Sequence, residues 1–313
     1  MWTYATKRFL MTIPTLLLVS IIVFVLIRLI PGDPAAIMLG DTDSDTALEA
    51  MRSKLGLDLP VYRQYLIWVG NIFRGDLGVS INTGEDIASA LVSRFAVTAQ
   101  ITFVAVGLAT LIAIPAGLVA AWRQNTPLDF GILFVSIVCL SLPSFWLGLM
   151  MIYLLAINFG WFPTVGFVSV HEDFVGGVMY LVMPVITLAA VETGVLIRMI
   201  RVQTLEILRL DYITHARAKG LSEATVLMRH VFRNSVAPAL TVIGLTLGAL
   251  LGGASVTETV FSIPGLGRLL VDAIFARDYP VLQGCLLFVS FVFVMVNLVV
   301  DLLYMLVDPK VKL

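Results

Sequence analysis

Glu192 is the residue whose position most suggests chemistry. It lies inside an apolar run, Val178–Ile197, where an ionisable group is expensive and marks function by default. A carboxyl there can face a substrate amine or a pathway. It can equally stay neutral, or serve one interhelical hydrogen bond; the residues leave both readings open. Glu258 closes a second apolar run, either as an interfacial charge or as part of an external gate. Asn297, Asp301 and Tyr304 recur at three- and four-residue steps and so share one helix face. Asp301 is placed there to pair with a cytoplasmic arginine. Arg28 ends the first apolar run and is expected to extend its charge to the interface.

The residues that catalysis would need are missing from the sequence. No G-x-x-x-x-G-K-[ST] loop occurs, and the glycines at 265 and 267 lack the following Lys and Ser/Thr that hold nucleotide phosphates. Neither H-E-x-x-H nor G-x-S-x-G is present. His171, His215 and His230 are dispersed, and Cys139 and Cys285 read as small apolar fillers. The expectation is a chain that is not an enzyme, with no metal and no cofactor of its own. A net charge of −1 supplies no global basic field, so nucleic acid is not expected as a partner.

The elements that position these residues follow from hydropathy. The 313 residues are 59% hydrophobic and only 13% charged, against about a quarter charged in soluble domains. Six runs are long enough to cross a bilayer: Phe9–Ile30, Val97–Ala121, Gly131–Ile157, Val178–Ile197, Val236–Thr257 and Val281–Val307. None alternates as a barrel strand would, so each is expected to be a helix, because lipid forces backbone groups to pair within their own segment. The first run is too long for a signal-peptide core and reads as a retained anchor. The expected fold is an all-α membrane protein of one domain, residues 1–313, with six transmembrane helices. Lys7, Arg8, Arg123, the basic cluster from Arg198 to Arg233, Lys310 and Lys312 fall on one side. That puts both termini and the 198–235 loop in the cytoplasm, and the 31–96 and 258–280 loops outside. Pro14, Pro115, Pro143 and Pro184 lie within spans, as bundle kinks or as gating points. Gly244, Gly248 and Gly252 form a small-xxx-small series, which either lets two helices approach closely or leaves room for a pathway.

The 198–235 loop is too polar to span and too patterned to be a linker. Leu205, Leu208, Tyr212 and Ala216 give an apolar stripe on one helix, which Gly220 stops. Ser222 can cap a second helix with Glu223 in its first turn, ending near Arg229, His230 and Arg233. Pro238 then opens the next span. Such an element can dock into a groove on a partner protein, or lie on lipid with its arginines at anionic headgroups.

The segment DYITHARAKGLSEATVLMRHVFRNSVAPAL, Asp211–Leu240, resembles the "EAA" loop of binding-protein-dependent ABC importer permeases of the dipeptide/oligopeptide branch. The family's Glu-Ala-Ala, three residues, Gly pattern falls here on Thr214, His215, Ala216 and Gly220, and the departure at the Glu resembles the branch's own DY-x-x-x-ARAKG version. Four further stretches resemble the same branch in the right order. They are IRLIPGDPA at 27–35, Leu55–Ser80, Pro264–Gly284 and Asn297–Val311. The resemblance covers essentially the whole chain. It implies the type I ABC importer permease fold, with a cytoplasmic coupling helix between spans four and five that inserts into a separate ATPase. Asp211, Tyr212, Thr214, His215, Ala216, Arg217, Ala218, Lys219 and Gly220 would form the coupling site. Glu192, Gly244, Gly248, Gly252 and Glu258 are the candidates for pathway or packing roles. The implied partners are a homologous second permease subunit, two ATP-binding-cassette ATPase subunits carrying ATP and Mg, a periplasmic substrate-binding protein and the lipid of a bacterial inner membrane. Peptide is the implied cargo, with glutathione or nickel complexes as alternatives. An ion-coupled secondary transporter is the alternative of a different class; its usual internal repeat is not seen.

Overall fold

The computed structural model describes residues 2–29, 45–54 and 56–307. The PGDP stretch at 31–34, Lys310 and Lys312 lie outside the described residues, as does the side chain of Tyr304. Twelve helices are labelled here. They are α1 (Trp2–Leu29), α2 (Asp45–Lys54), α3 (Val61–Phe73), α4 (Ile87–Trp122), α5 (Pro127–Ser141), α6 (Ser144–Met151, continued by a π-helical stretch, Ile152–Asn158), α7 (Phe174–Leu208), α8 (Asp211–Ala218), α9 (Phe232–Leu251), α10 (Ser255–Val260), α11 (Leu266–Phe275) and α12 (Tyr279–Val307). Among the described residues the regular elements are helices, as expected from hydropathy.

Four helices, α1, α4, α7 and α12, are each long and apolar enough to cross a membrane alone. The third expected span is not one rod. Its halves, Pro127–Ser141 and Ser144–Asn158, meet at 96°. The cause is Pro143, which forces Leu142 into extended backbone with ψ of 123°. The fifth expected span is also shorter than its hydropathy suggested. The apolar helix Pro238–Leu251 stops at Gly252, and Gly253 turns the chain at φ 122° into α10. The second begins early, at Ile87, because Asp86 caps it by accepting a hydrogen bond from the Ser89 amide at 2.9 Å. At 1.5 Å per residue, α4 and α7 are each about 50 Å long, so both project beyond the hydrocarbon.

The central core forms where α4 meets α7. Ala105, Ala109 and Ala113 are fully buried at four-residue steps, and Leu196, Ile197 and Ile200 of α7 share their cluster. Gly117 continues that seam: a methyl there would lie 2.8 Å from the Cβ of Ile200. α5 crosses α7 as closely. A methyl on Gly194 would lie 2.7 Å from the Ser136 carbonyl, and the Ser136 hydroxyl donates to the Gly194 carbonyl at 2.8 Å. A second cluster joins Ile27 of α1, Ile87 and Leu91 of α4, Leu266 and Ala273 of α11, and Cys285 of α12. Arg8 of α1 pairs with Asp301 of α12 at 2.8 Å, which supplies the arginine expected for that acid.

Candidate functional site

The segment from Leu205 to Leu251 departs from a simple helix–Gly–helix hairpin. The stripe Leu205–Leu208–Tyr212–Ala216 does not run along one helix, because α7 ends at Leu208 and Leu210, extended at ψ 144°, restarts the chain as α8. The buried set is instead Ile213 and Ala216, packed with Ile207, Val226 and Val231 in a small separate core. Tyr212 is 40% exposed. Asp211, Thr214, His215, Arg217, Ala218 and Lys219 are exposed with it. Gly220 sits at φ 81°, and its amide donates to the Arg217 carbonyl at 2.9 Å, so the C-cap is the one expected. The site therefore consists of an apolar pedestal of two residues and a polar, outward face of seven named positions.

The second half of the segment is firmer than expected. The Ser222 hydroxyl caps the amide of Thr225 at 3.3 Å. Across the Gly220 turn, Arg217 donates twice to the Glu223 carboxylate, at 2.8 and 3.1 Å. The helix does not end near Arg229–Arg233. Its first turn passes through a π-helical stretch, Val226–Val231, directly into α9. Pro238 accordingly lies inside α9 rather than opening it. Asn234 ties the two halves together, donating through Nδ2 to the Tyr212 hydroxyl at 3.0 Å.

Toward the end of α7, the Arg201 guanidinium clasps Asp129 of α5 through two bonds of 2.7 Å, and the Asn125 amide donates to the same carboxylate at 3.0 Å. Asp129 is 1% exposed. This clasp was not anticipated, since a run of apolar residues hides the purpose of a lone acid at its start. Glu192 is half-buried on α7. Gly244, Gly248 and Gly252 face α12. A side chain on Gly244 would enter Val300, one on Gly248 would lie 3.2 Å from the Phe293 ring, and one on Gly252 would lie 3.0 Å from Val289. The series thus packs against α12, and Gly248 and Gly252 also line a cavity between α1, α9 and α12.

Glu258 is not a solvent-facing interfacial charge. It is 1% exposed, and it holds the start of α11. The Thr98 hydroxyl donates to Oε1 at 2.7 Å, the Arg268 amide donates to Oε2 at 2.8 Å, and the Leu266 amide donates to Thr98 Oγ1 at 2.8 Å. The carboxyl and Thr98 thus satisfy the free amides of a helix N-terminus from outside the helix. A side chain on Gly265 would enter the carboxylate, which explains the glycine there. Burial pushes the Glu258 carboxyl above its ordinary value, against the pull of these donors. A second buried acid, Asp278, accepts from the Ser80 hydroxyl at 2.5 Å and from the amides of Ile81 and Val281 at 3.3 and 3.4 Å. It joins the segment before α4 to the start of α12.

The chain matches the binding-protein-dependent transport system inner membrane component family over residues 113–313. Residues 1–102 match the N-terminal part of the binding-protein-dependent transport system membrane component. It is 39% identical over 333 residues to the di/tripeptide transport system permease protein of Pseudomonas aeruginosa, covering 100% of this chain and 99% of that one. It is 39% identical over 315 residues to the oligopeptide transport system permease protein of Bacillus subtilis, covering 100% of both. The glutathione transport system permease protein of Escherichia coli is 39% identical over 313 residues, with 100% of this chain and 99% of the relative covered. Among solved structures, a chain of the MetNI methionine ABC transporter in an inward-facing conformation superposes with a TM-score of 0.58 at 19% identity, over 70% of this chain and 96% of that one. That likeness is one of fold, and it agrees with the type I ABC importer permease fold expected from the motifs. This multi-pass membrane chain belongs to the binding-protein-dependent transport system inner membrane component family.

Proposed function

We propose that the chain is the transmembrane permease subunit of an ATP-driven importer, forming half of a translocation pore for peptides. Family membership and a sequence without a phosphate-binding loop support a non-catalytic role. Family membership supports two ATP-binding-cassette ATPase subunits and a periplasmic substrate-binding protein as partners. A homologous second permease subunit would complete the pore. The permeases named for di/tripeptides, oligopeptides and glutathione support a peptide-like cargo. In this reading six membrane crossings leave both termini in the cytoplasm. The bent pair α5–α6 counts as the third, and the short apolar part of α9 as the fifth.

The observation that carries the coupling assignment is α8. Its two buried residues anchor it to the chain's own core, and Tyr212, Thr214, His215, Arg217 and Lys219 are left outward. Asp211, Ala218 and Gly220 complete the face offered to an ATPase groove. ATP binding by the partner would shift the pore only by its differential affinity for two states. The test is ATP hydrolysis by the co-expressed complex in liposomes, with and without the binding protein, comparing wild type with Gly220→Pro and Tyr212→Ala. Binding-protein-stimulated hydrolysis that collapses in both variants supports the assignment. Wild-type behaviour in Tyr212→Ala, or purification without any ATPase subunit, would sink it. Uptake that survives ATP depletion but stops with an uncoupler would point to ion coupling.

A further inference from the structure

The helix α3 carries residues that neither the coupling site nor the core uses. Its packed face is Gln64, Tyr65, Trp68, Asn71 and Ile72. Beside that face runs a second stripe, Tyr62, Leu66, Val69 and Phe73, at steps of four, three and four residues, which one helix side carries. Tyr62 is 62% exposed, Leu66 63% and Phe73 87%, with Val69 half-buried between them. Arg63 lies on the far flank, exposed. An amphipathic helix with so apolar an uncovered stripe needs an occupant.

The depth of α3 identifies that occupant. Arg8 and Arg28 mark the two ends of the apolar part of α1. The rise between them is about 30 Å, the thickness of the hydrocarbon. α3 meets α1 only near the Arg28 end. Tyr65 hydrogen-bonds Ser20 at 2.7 Å, Tyr65 and Trp68 pack on Phe24 with ring centroids 5.2 and 5.6 Å away, and Gln64 accepts from Arg28 at 2.5 Å. All four contacts come from Gln64, Tyr65 and Trp68, about one turn of α3, so the helices cross. Ser20 lies about 12 Å below Arg28 along the axis, which puts the crossing within about the outer two-fifths of the hydrocarbon on that side, centred on Phe24 about 6 Å below Arg28. The exposed stripe is also continuous in kind with the neighbouring surface of α1, where Ile21, Val25, Leu26 and Leu29 are exposed. Tyr62, Tyr65 and Trp68 are the aromatic types that settle at headgroup level.

We propose that α3 is an interfacial helix whose Tyr62–Leu66–Val69–Phe73 stripe lies among the acyl chains of the leaflet at the Arg28 end, with Arg63 turned to the headgroups. Helices of this kind sink about 5–10 Å below the headgroup boundary, which matches the crossing at Phe24. The inference rests on the multi-pass membrane reading and not on the cargo.

The test uses the full chain, co-expressed with its partner subunits, in nanodiscs of phosphatidylethanolamine and phosphatidylglycerol. Cys139 and Cys285 are replaced by Ala, and spin labels are placed through Arg63→Cys, Leu66→Cys or Phe73→Cys. Oxygen accessibility should exceed that of a water-soluble nickel chelate severalfold at 66 and 73, and the order should reverse at 63. Water-like accessibility at all three positions would overturn the proposal. So would shielding from both reagents, which would mean protein cover. In a second measurement that keeps both cysteines, a photoreactive phenylalanine at 66 or 73 should yield a phospholipid adduct by mass spectrometry. Cross-linking to protein alone would overturn it.

Discussion

Removing either partner of the Asp129–Arg201 clasp should cost about as much as removing both. The pair closes α5 onto α7 with two bonds of 2.7 Å, and the Asp129 and Arg201 side chains are 1% and 16% exposed. Breaking a fully buried pair from one side costs about 3–5 kcal/mol, because a charge is left unmatched. Arg201 keeps some water, so the low end applies, about 3 kcal/mol for Asp129→Ala and about the same for Arg201→Ala. The double variant leaves no orphaned charge. It should cost no more than either single variant, an interaction of about 3 kcal/mol in a double-mutant cycle. The assay is unfolding of the purified chain in mixed micelles titrated with dodecyl sulfate, read by loss of native packing. Single variants within about 0.5 kcal/mol of wild type would refute the reasoning. A double variant that merely sums the two single costs would refute it equally.

Three further outcomes are expected. Gly244→Val should destabilise the chain by about 1–3 kcal/mol through overpacking against Val300, whereas Gly107→Val, where a methyl meets nothing within 4 Å, should not; equal effects in the same titration would contradict the α9–α12 contact. Burial raises the Glu258 carboxyl, so the folded chain holds that proton more tightly than the unfolded chain. Its contribution to stability is full below the ordinary glutamate value of about 4.3 and falls as pH rises through the native value. Glu258→Gln should flatten that decline in thermal inactivation rates, and an unchanged slope would count against the assignment. Arg217→Ala removes an exposed pair with Glu223 and should shift stability by under about 1 kcal/mol, while lowering binding-protein-stimulated ATP hydrolysis in the assembled transporter; normal hydrolysis would remove Arg217 from the coupling face.

What the sequence made legible was local. Gly220 as a left-handed stop and Ser222 as a cap needed only their neighbours, and both stand as read. The break at Leu142–Pro143 was half legible. Proline announces a discontinuity, but hydropathy has no direction and cannot turn it into a 96° bend. The stripe was misassigned because Leu205 to Ala216 keeps a helical period across the break in the helix at Leu210. The alanine seam of α4 was present at four-residue spacing, yet alanines in an apolar run do not stand out as the glycines of α9 do. The long-range clasps were beyond reach. Thr98 with Glu258, Ser80 with Asp278, and Arg201 with Asp129 join residues 160, 198 and 72 positions apart, and one sequence carries no sign of such pairing.

The bond between Arg8 and Asp301 has a consequence for biogenesis. Among the described helices, α1 makes its principal helix contact with α12. Synthesis runs at about 5–20 residues per second, so α1 enters the bilayer tens of seconds before its partner exists. Until then, among the described residues, α1 is held only by its contacts with α3 and by Ile27 in the cluster with Ile87, Leu91 and Leu266. Completion of α12 adds the principal hold on the earliest span, so a chain truncated before that point would keep a loosely held helix for quality-control proteases to grip.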